Sequence, residues 1–93
     1  MDEISELTNF FKSLSDPTRL KIVEYLASTG KPRCVNAISK HINVSQSATS
    51  QHLRILRQNN LVISERRGYH IHYRINNDQV EALFRQLQNL LEK

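Results

Sequence analysis

Apolar positions recur along this chain at two periods, and the change from one to the other divides it. Ile4, Leu7, Phe10, Phe11 and Leu14 fall three to four residues apart, the spacing that gathers side chains on one face of a helix. The next stretch, "SDPTRLKIVEYLASTGKP", predicts a second helix. Ser15 or Asp16 can cap it, Pro17 sits in the first turn where its missing N–H costs nothing, and Leu20, Val23 and Leu26 form its apolar stripe. Gly30 and Pro32 end it. A short third helix is predicted from about Val35 to His41, with Val35, Ile38 and Ile42 as its apolar positions.

Asn43 follows, a residue that tolerates the left-handed backbone of a tight turn between helices; Val44 can plug the angle and Ser45 can cap what comes next. Short helix, tight turn and capped second helix make a helix-turn-helix, spanning 33–58. In "NVSQSATSQHLRILRQ", at about 100° per residue, Thr49, His52, Leu53 and Leu56 fall on one side. Ser47, Gln51 and Arg54 fall opposite, flanked by Ala48, Ser50 and Ile55. An ordinary surface helix favours Glu, Lys and Ala for their propensity. A face of Ser and Gln with one arginine offers compact donors and acceptors instead, which is what an element inserted into the major groove of DNA requires.

After "QNN" the period drops to two. His70 out, Ile71 in, His72 out, Tyr73 in, Arg74 out and Ile75 in read as a half-buried strand. Arg67 and Gly68 stand where the chain reverses, making Leu61 to Glu65 the partner strand of a hairpin over 61–76 whose tip carries Arg66 and Arg67. Such a hairpin behind a reading helix is a wing, with its tip placed for phosphates or the adjacent minor groove. The last segment returns to helical spacing with Val80, Leu83, Phe84, Leu87, Leu90 and Leu91. That is much apolar surface for a terminal helix. The first and last helices, 1–14 and 77–93, are therefore expected to pair across a two-fold axis through Leu7, Phe11, Leu83, Leu87 and Leu90. The fold class predicted is mainly α with a β-hairpin wing: one winged helix-turn-helix domain of about five helices over 1–93, homodimeric.

Charge sharpens the picture. The net charge is +4 over 93 residues. Between Gln46 and Arg74 stand Arg54, Arg57, Arg66, Arg67 and Arg74 against Glu65 alone, so this segment carries 5 − 1 = +4 and the rest of the chain sums to zero. All of that excess is arginine, whose planar fork matches phosphates and guanine edges. A single cysteine, Cys34, makes no intrachain disulfide. The N-terminal "MDEISELTNFF" lacks a basic start and an apolar run, and no eighteen apolar residues follow one another, so the expected location is cytoplasmic with no membrane partner.

Three stretches, in order, resemble the arsenic-repressor (ArsR/SmtB) family of winged-helix regulators: "LSDPTRLKIVEYL", "VSQSATSQHLRILRQNNLV" and "RRGYHIHYRIN". The resemblance covers nearly the whole chain. It implies a dimer of winged helices that binds an inverted repeat in double-stranded DNA and represses nearby genes until an effector releases it. The family's DNA-reading positions fall on Gln46, Ser47, Ser50 and Gln51, with the wing arginines on phosphate, to which the helical wheel adds Arg54. Thr49 replaces the family's usual Val or Ile, and Asn43 the usual Gly of the turn. Metal-responsive members carry a Cys-x-Cys box on the first helix of the helix-turn-helix. Here "RCVNAIS" keeps Cys34 in the first thiol position and has Asn36 in the second, and the C-terminal helix lacks histidine. His41, His52, His70 and His72 are scattered. A metal site needs three or four converging ligands, so no metal or cofactor is expected, and the effector is not identified by the sequence.

Other functions fit less well. An enzyme using Cys34 as nucleophile would need a base and an orienting group, and the chain has only two glycines and no phosphate loop. A winged-helix module binding protein would be expected to show aromatic anchors on α-helical faces that here carry Ser and Gln. A regulator responding to thiol or redox chemistry at Cys34 is a variant of the main reading, since a helix N-terminus and Arg33 would favour the thiolate.

Overall fold

The computed structural model describes residues 2–93, so Met1 of the expected 1–14 segment lies outside the described residues. The elements run α1 (Glu3–Leu14), α2 (Pro17–Thr29), β1 (Arg33–Cys34), α3 (Val35–Ile42), α4 (Gln46–Gln58), β2 (Val62–Arg67), β3 (His70–Ile75) and α5 (Asn77–Leu91). Short polar side chains begin most of the helices. Asp2 accepts from the Ser5 N–H at 2.7 Å, Asp16 rather than Ser15 accepts from the Arg19 N–H at 3.0 Å, and Ser45 accepts from the Ala48 N–H at 3.2 Å. Gly30 ends α2 at φ 63°, and Asn43 ends α3 at φ 59°, the left-handed turn its side chain type allows.

The core draws on every helix: Leu7 and Phe10 from α1, Ile22 and Leu26 from α2, Ile38 and Ile42 from α3, Leu53 and Leu56 from α4, and Leu83 from α5, closed by Leu61 and Val62. The α2 stripe differs from the expected one. Ile22 is fully buried, whereas Leu20 is 50 % exposed, because α2 turns the Ile22–Leu26 edge towards α1, α3, α4 and β3 and leaves Leu20 outside.

The wing also differs in detail. The sheet has three strands in the order β1-β3-β2, all antiparallel, with Val62 opposite Ile75 and Arg67 opposite His70. Strand β1 was not anticipated. Two residues carry no alternation, and Arg33 and Cys34 are extended because they pair with Tyr73 and His72. That added strand covers His72, which is half-buried rather than outward, while Ile71, expected inward, pairs with Arg66 near the tip and is exposed.

Leu7 and Leu83, expected on a surface between protomers, are only 5 % and 2 % exposed within one. They belong to the core where α1 meets α5, which corrects their assignment. Leu87 and Leu90 are half-buried against the same core. Phe11 at 45 % and Phe84 at 57 % remain open, with Ile4 and Leu91. Phe84 stands beside a cleft whose lining, including Phe10, Leu14, Val23, Ile75 and Val80, is wholly apolar. Among the described residues no helix is long and apolar enough to cross a membrane.

Candidate nucleic-acid interface

The α3–α4 turn sets the helix that carries most of the expected contacts. With Asn43 left-handed, the Val44 N–H reaches back to the Ser39 carbonyl at 3.1 Å and Ser45 caps α4. Thr49, Leu53 and Leu56 are then wholly buried, and Thr49 Oγ1 donates to the Ser45 carbonyl at 2.8 Å. Ser47, Ser50, Gln51 and Arg54 lie on the exposed side. Among the described residues, the side chains of Ser50, Gln51 and Arg54 have no hydrogen-bond or ionic partner. Gln46 is exposed as well, but its Nε2 donates to Asn36 Oδ1 at 2.8 Å.

The inner side of α4 is also held by a polar junction. Arg19 donates from Nε to the Ser13 carbonyl at 2.5 Å and stands 3.3 Å from His52 Nδ1. Because a guanidinium only donates, Nδ1 is the acceptor there. Asp16 lies 4.0 Å from the same nitrogen. The Arg19 N–H holds the Asp16 carboxyl below the ordinary carboxylate value, and the Arg19 charge adds to this. Sequence reasoning placed Asp16 as a possible cap and His52 on the inner face but did not join them. No local signal joins them, because Arg19 and His52 lie 33 residues apart.

The wing turns at Gly68, φ 64°, and Tyr69 beside it is 98 % exposed. Arg66 has no partner among the described residues, whereas Arg67 lies 3.3 Å and Arg74 3.7 Å from Glu65. Arg57 donates to Ser64 Oγ at 3.4 Å, tying the end of α4 to β2. A groove lined by Asn36, Gln46, Tyr69, His70 and Ile71 runs between the start of α4 and the wing tip. Tyr69 was not among the expected residues, although an aromatic next to the turn glycine of an arginine-bearing hairpin was legible.

Cys34 is a free, half-buried thiol before the first turn of α3. Asn36, in the position of the family's second thiol, is engaged with Gln46. Among the described residues no three of His, Cys, Asp and Glu converge on a point that could hold a metal ion. The histidines lie apart: His41 stacks on Tyr25 at 4.0 Å, His52 faces Arg19, and His70 and His72 lie along β3.

A helix-turn-helix with a bare polar face, followed by an arginine-tipped hairpin, defines a winged helix-turn-helix DNA-binding transcriptional regulator. Residues 16–64 match the family model described as bacterial regulatory protein, arsR family, and the chain belongs to that family. It is similar to the transcriptional repressor SdpR of Bacillus subtilis, 33% identical over 87 residues that make up 94% of each chain. Among solved structures, the ArsR-like transcriptional regulator from Rhodococcus sp. RHA1 matches with TM-score 0.85 at 29% identity, covering 94% of this chain and 80% of that one. The homodimeric winged helix-turn-helix DNA-binding domain of a possible ArsR-family regulator from Mycobacterium bovis matches with TM-score 0.77 at 28% identity, covering 96% and 81%.

The Asp16 junction has a pH signature. A carboxyl held below its ordinary value contributes stability that is present above that value and is lost as the pH falls through the lower, folded one. Asp16→Asn, which still caps α2 but does not titrate, should therefore lose less thermal stability than wild type between neutral pH and acid. Thermal unfolding of both proteins across that range is the measurement, and parallel losses would show that Asp16 is not a contributor.

Proposed function

We propose that the protein represses transcription in the cytoplasm as a homodimer on an inverted-repeat operator, acting by binding alone and without catalysis. The observation that carries this reading is the row Ser47, Ser50, Gln51 and Arg54, exposed on a firmly seated α4 and, for the last three, without partners among the described residues. Gln46, Ser47, Ser50, Gln51 and Arg54 face base edges and nearby phosphates in the major groove, and Arg66 and Arg67 face phosphate. In the dimer the two α4 helices meet half-sites about one helical turn apart.

Pairing rests on Phe11 and Phe84, with Leu87 and Leu90 at their margin. Two large exposed rings, of which Phe84 lines an apolar cleft, are surface that a second copy would remove from water. That the Mycobacterium bovis neighbour is homodimeric supports pairing as such. Release by tight, stoichiometric binding of a transition metal is not part of the proposal, because among the described residues Cys34 has no convergent set of further ligands. An organic effector, modification of Cys34, or constant repression remain as modes of control.

The wing and the helix should separate in solution. Arg66→Ala should reduce the salt slope of binding by about one unit, and Arg67→Ala by less, since Glu65 already shares that guanidinium. Gln51→Ala should instead lose the preference for DNA selected from a random pool over random DNA, by about 1 to 3 kcal/mol for a bidentate contact. Equal losses on both DNAs for all three variants would reject the division.

In sedimentation at micromolar concentration wild type should run as a dimer. Phe84→Glu should run as a monomer with its helix content intact, because the ring is exposed within the protomer. A monomeric wild type rejects the pairing.

Zinc, cadmium and arsenite titrated into the protein–operator complex should leave it bound. Release at one metal per protomer or per dimer, abolished by Cys34→Ser, would overturn the reading of the sensing site.

A further inference from the structure

An exposed glutamine has three rotatable bonds, so its amide ordinarily samples many directions, and fixing it on DNA costs rotamer entropy. Gln46, in the first turn of α4, is exposed but not free. Its Nε2 donates to Oδ1 of Asn36 on α3 at 2.8 Å, a full-strength hydrogen-bond length. The two residues lie ten apart in sequence and meet because the Asn43 turn folds α3 back on α4. Both line the groove between the start of α4 and the wing tip, beside Tyr69 and His70.

We infer that Asn36 is a specificity-determining positioning residue that holds the Gln46 amide in one orientation for reading DNA. With one Nε2 hydrogen committed to Asn36, Gln46 presents Oε1 and its second N–H as a preset acceptor and donor. In the free protein this bond competes with water and adds little to stability. When DNA covers the groove the water leaves, and the orientation already held is entropy that binding does not have to supply. The effect of Asn36 therefore belongs to the complex and not to the fold. This inference rests on the proposal that Gln46 reads DNA.

A double-mutant cycle tests it. Asn36→Ala, Gln46→Ala and the double variant are measured against DNA that wild type selects from a random pool and against random DNA, at one salt concentration, alongside thermal unfolding. Asn36→Ala should lose about two- to tenfold of the preference, the range of one net hydrogen bond. It should add no further loss in the Gln46→Ala background and leave the unfolding temperature unchanged. Asn36→Asp, whose carboxylate still accepts from Gln46 Nε2, should keep the preference while binding both DNAs more weakly, since it brings a negative charge towards phosphates. Full preference in Asn36→Ala while Gln46→Ala loses it overturns the inference and leaves the reading role of Gln46 standing. A loss that persists undiminished in the Gln46→Ala background overturns it too, because Asn36 then acts on its own. An equal loss on both DNAs with a lowered unfolding temperature makes Asn36 structural and rejects the inference. If Gln46→Ala loses no preference, the reading role and the inference fail together.

Discussion

A helix face can be left without internal partners only where the opposite face holds the helix unaided, and in α4 that hold is part apolar and part hydrogen-bonded. Leu53 and Leu56 are wholly buried, and next to them His52 meets the Arg19 guanidinium at 3.3 Å. Arg19 is the junction of three helices. Its Nε satisfies the Ser13 carbonyl near the end of α1, its own N–H satisfies the Asp16 cap at the start of α2, and a further nitrogen reaches α4. A planar fork of donors can serve several directions at once, whereas an ammonium is a point charge on a flexible stem. Arg19 is thus a direct polar link between α4 and the first helix, beside the apolar packing.

That junction bears on how the protein would act as a pair. α1 packs on α5, with Leu7 and Leu83 in the shared core, and Phe11 and Phe84 project outward from the same two helices. A dimer formed across those rings would therefore be connected to α4 by packed side chains and by Arg19, with no flexible segment between. The separation of two reading faces would then follow from the rigid body of each protomer.

Electrostatics on the DNA side is graded. The four net charges of the segment from Gln46 to Arg74 are arginine, but Glu65 takes up part of Arg67 and Arg74, leaving Arg66 and Arg54 without a partner among the described residues. An exposed pair of this kind contributes little to folding. Its consequence under the proposed contacts is for binding: a phosphate would compete with Glu65 for Arg67, and a wing tempered in this way would add less sequence-independent affinity than its arginine count implies.

The helices, the reversal at Asn43, the Ser45 cap and the inner and outer sides of α4 were all legible in the sequence, because periodicity, cap chemistry and left-handed tolerance are properties of residues close along the chain. So was the wing, since alternation around Arg67-Gly68 is equally local. Tertiary structure alone decided which neighbour covers each face. It turned Ile22 inward and Leu20 outward, took Leu7 and Leu83 into the protomer's core, and left Ile71 at the wing tip. It also created strand β1, the Arg19–His52 contact and the Asn36–Gln46 pair. Each of these joins residues from different elements, and a hydrophobic period states that a face is to be buried without stating what will bury it.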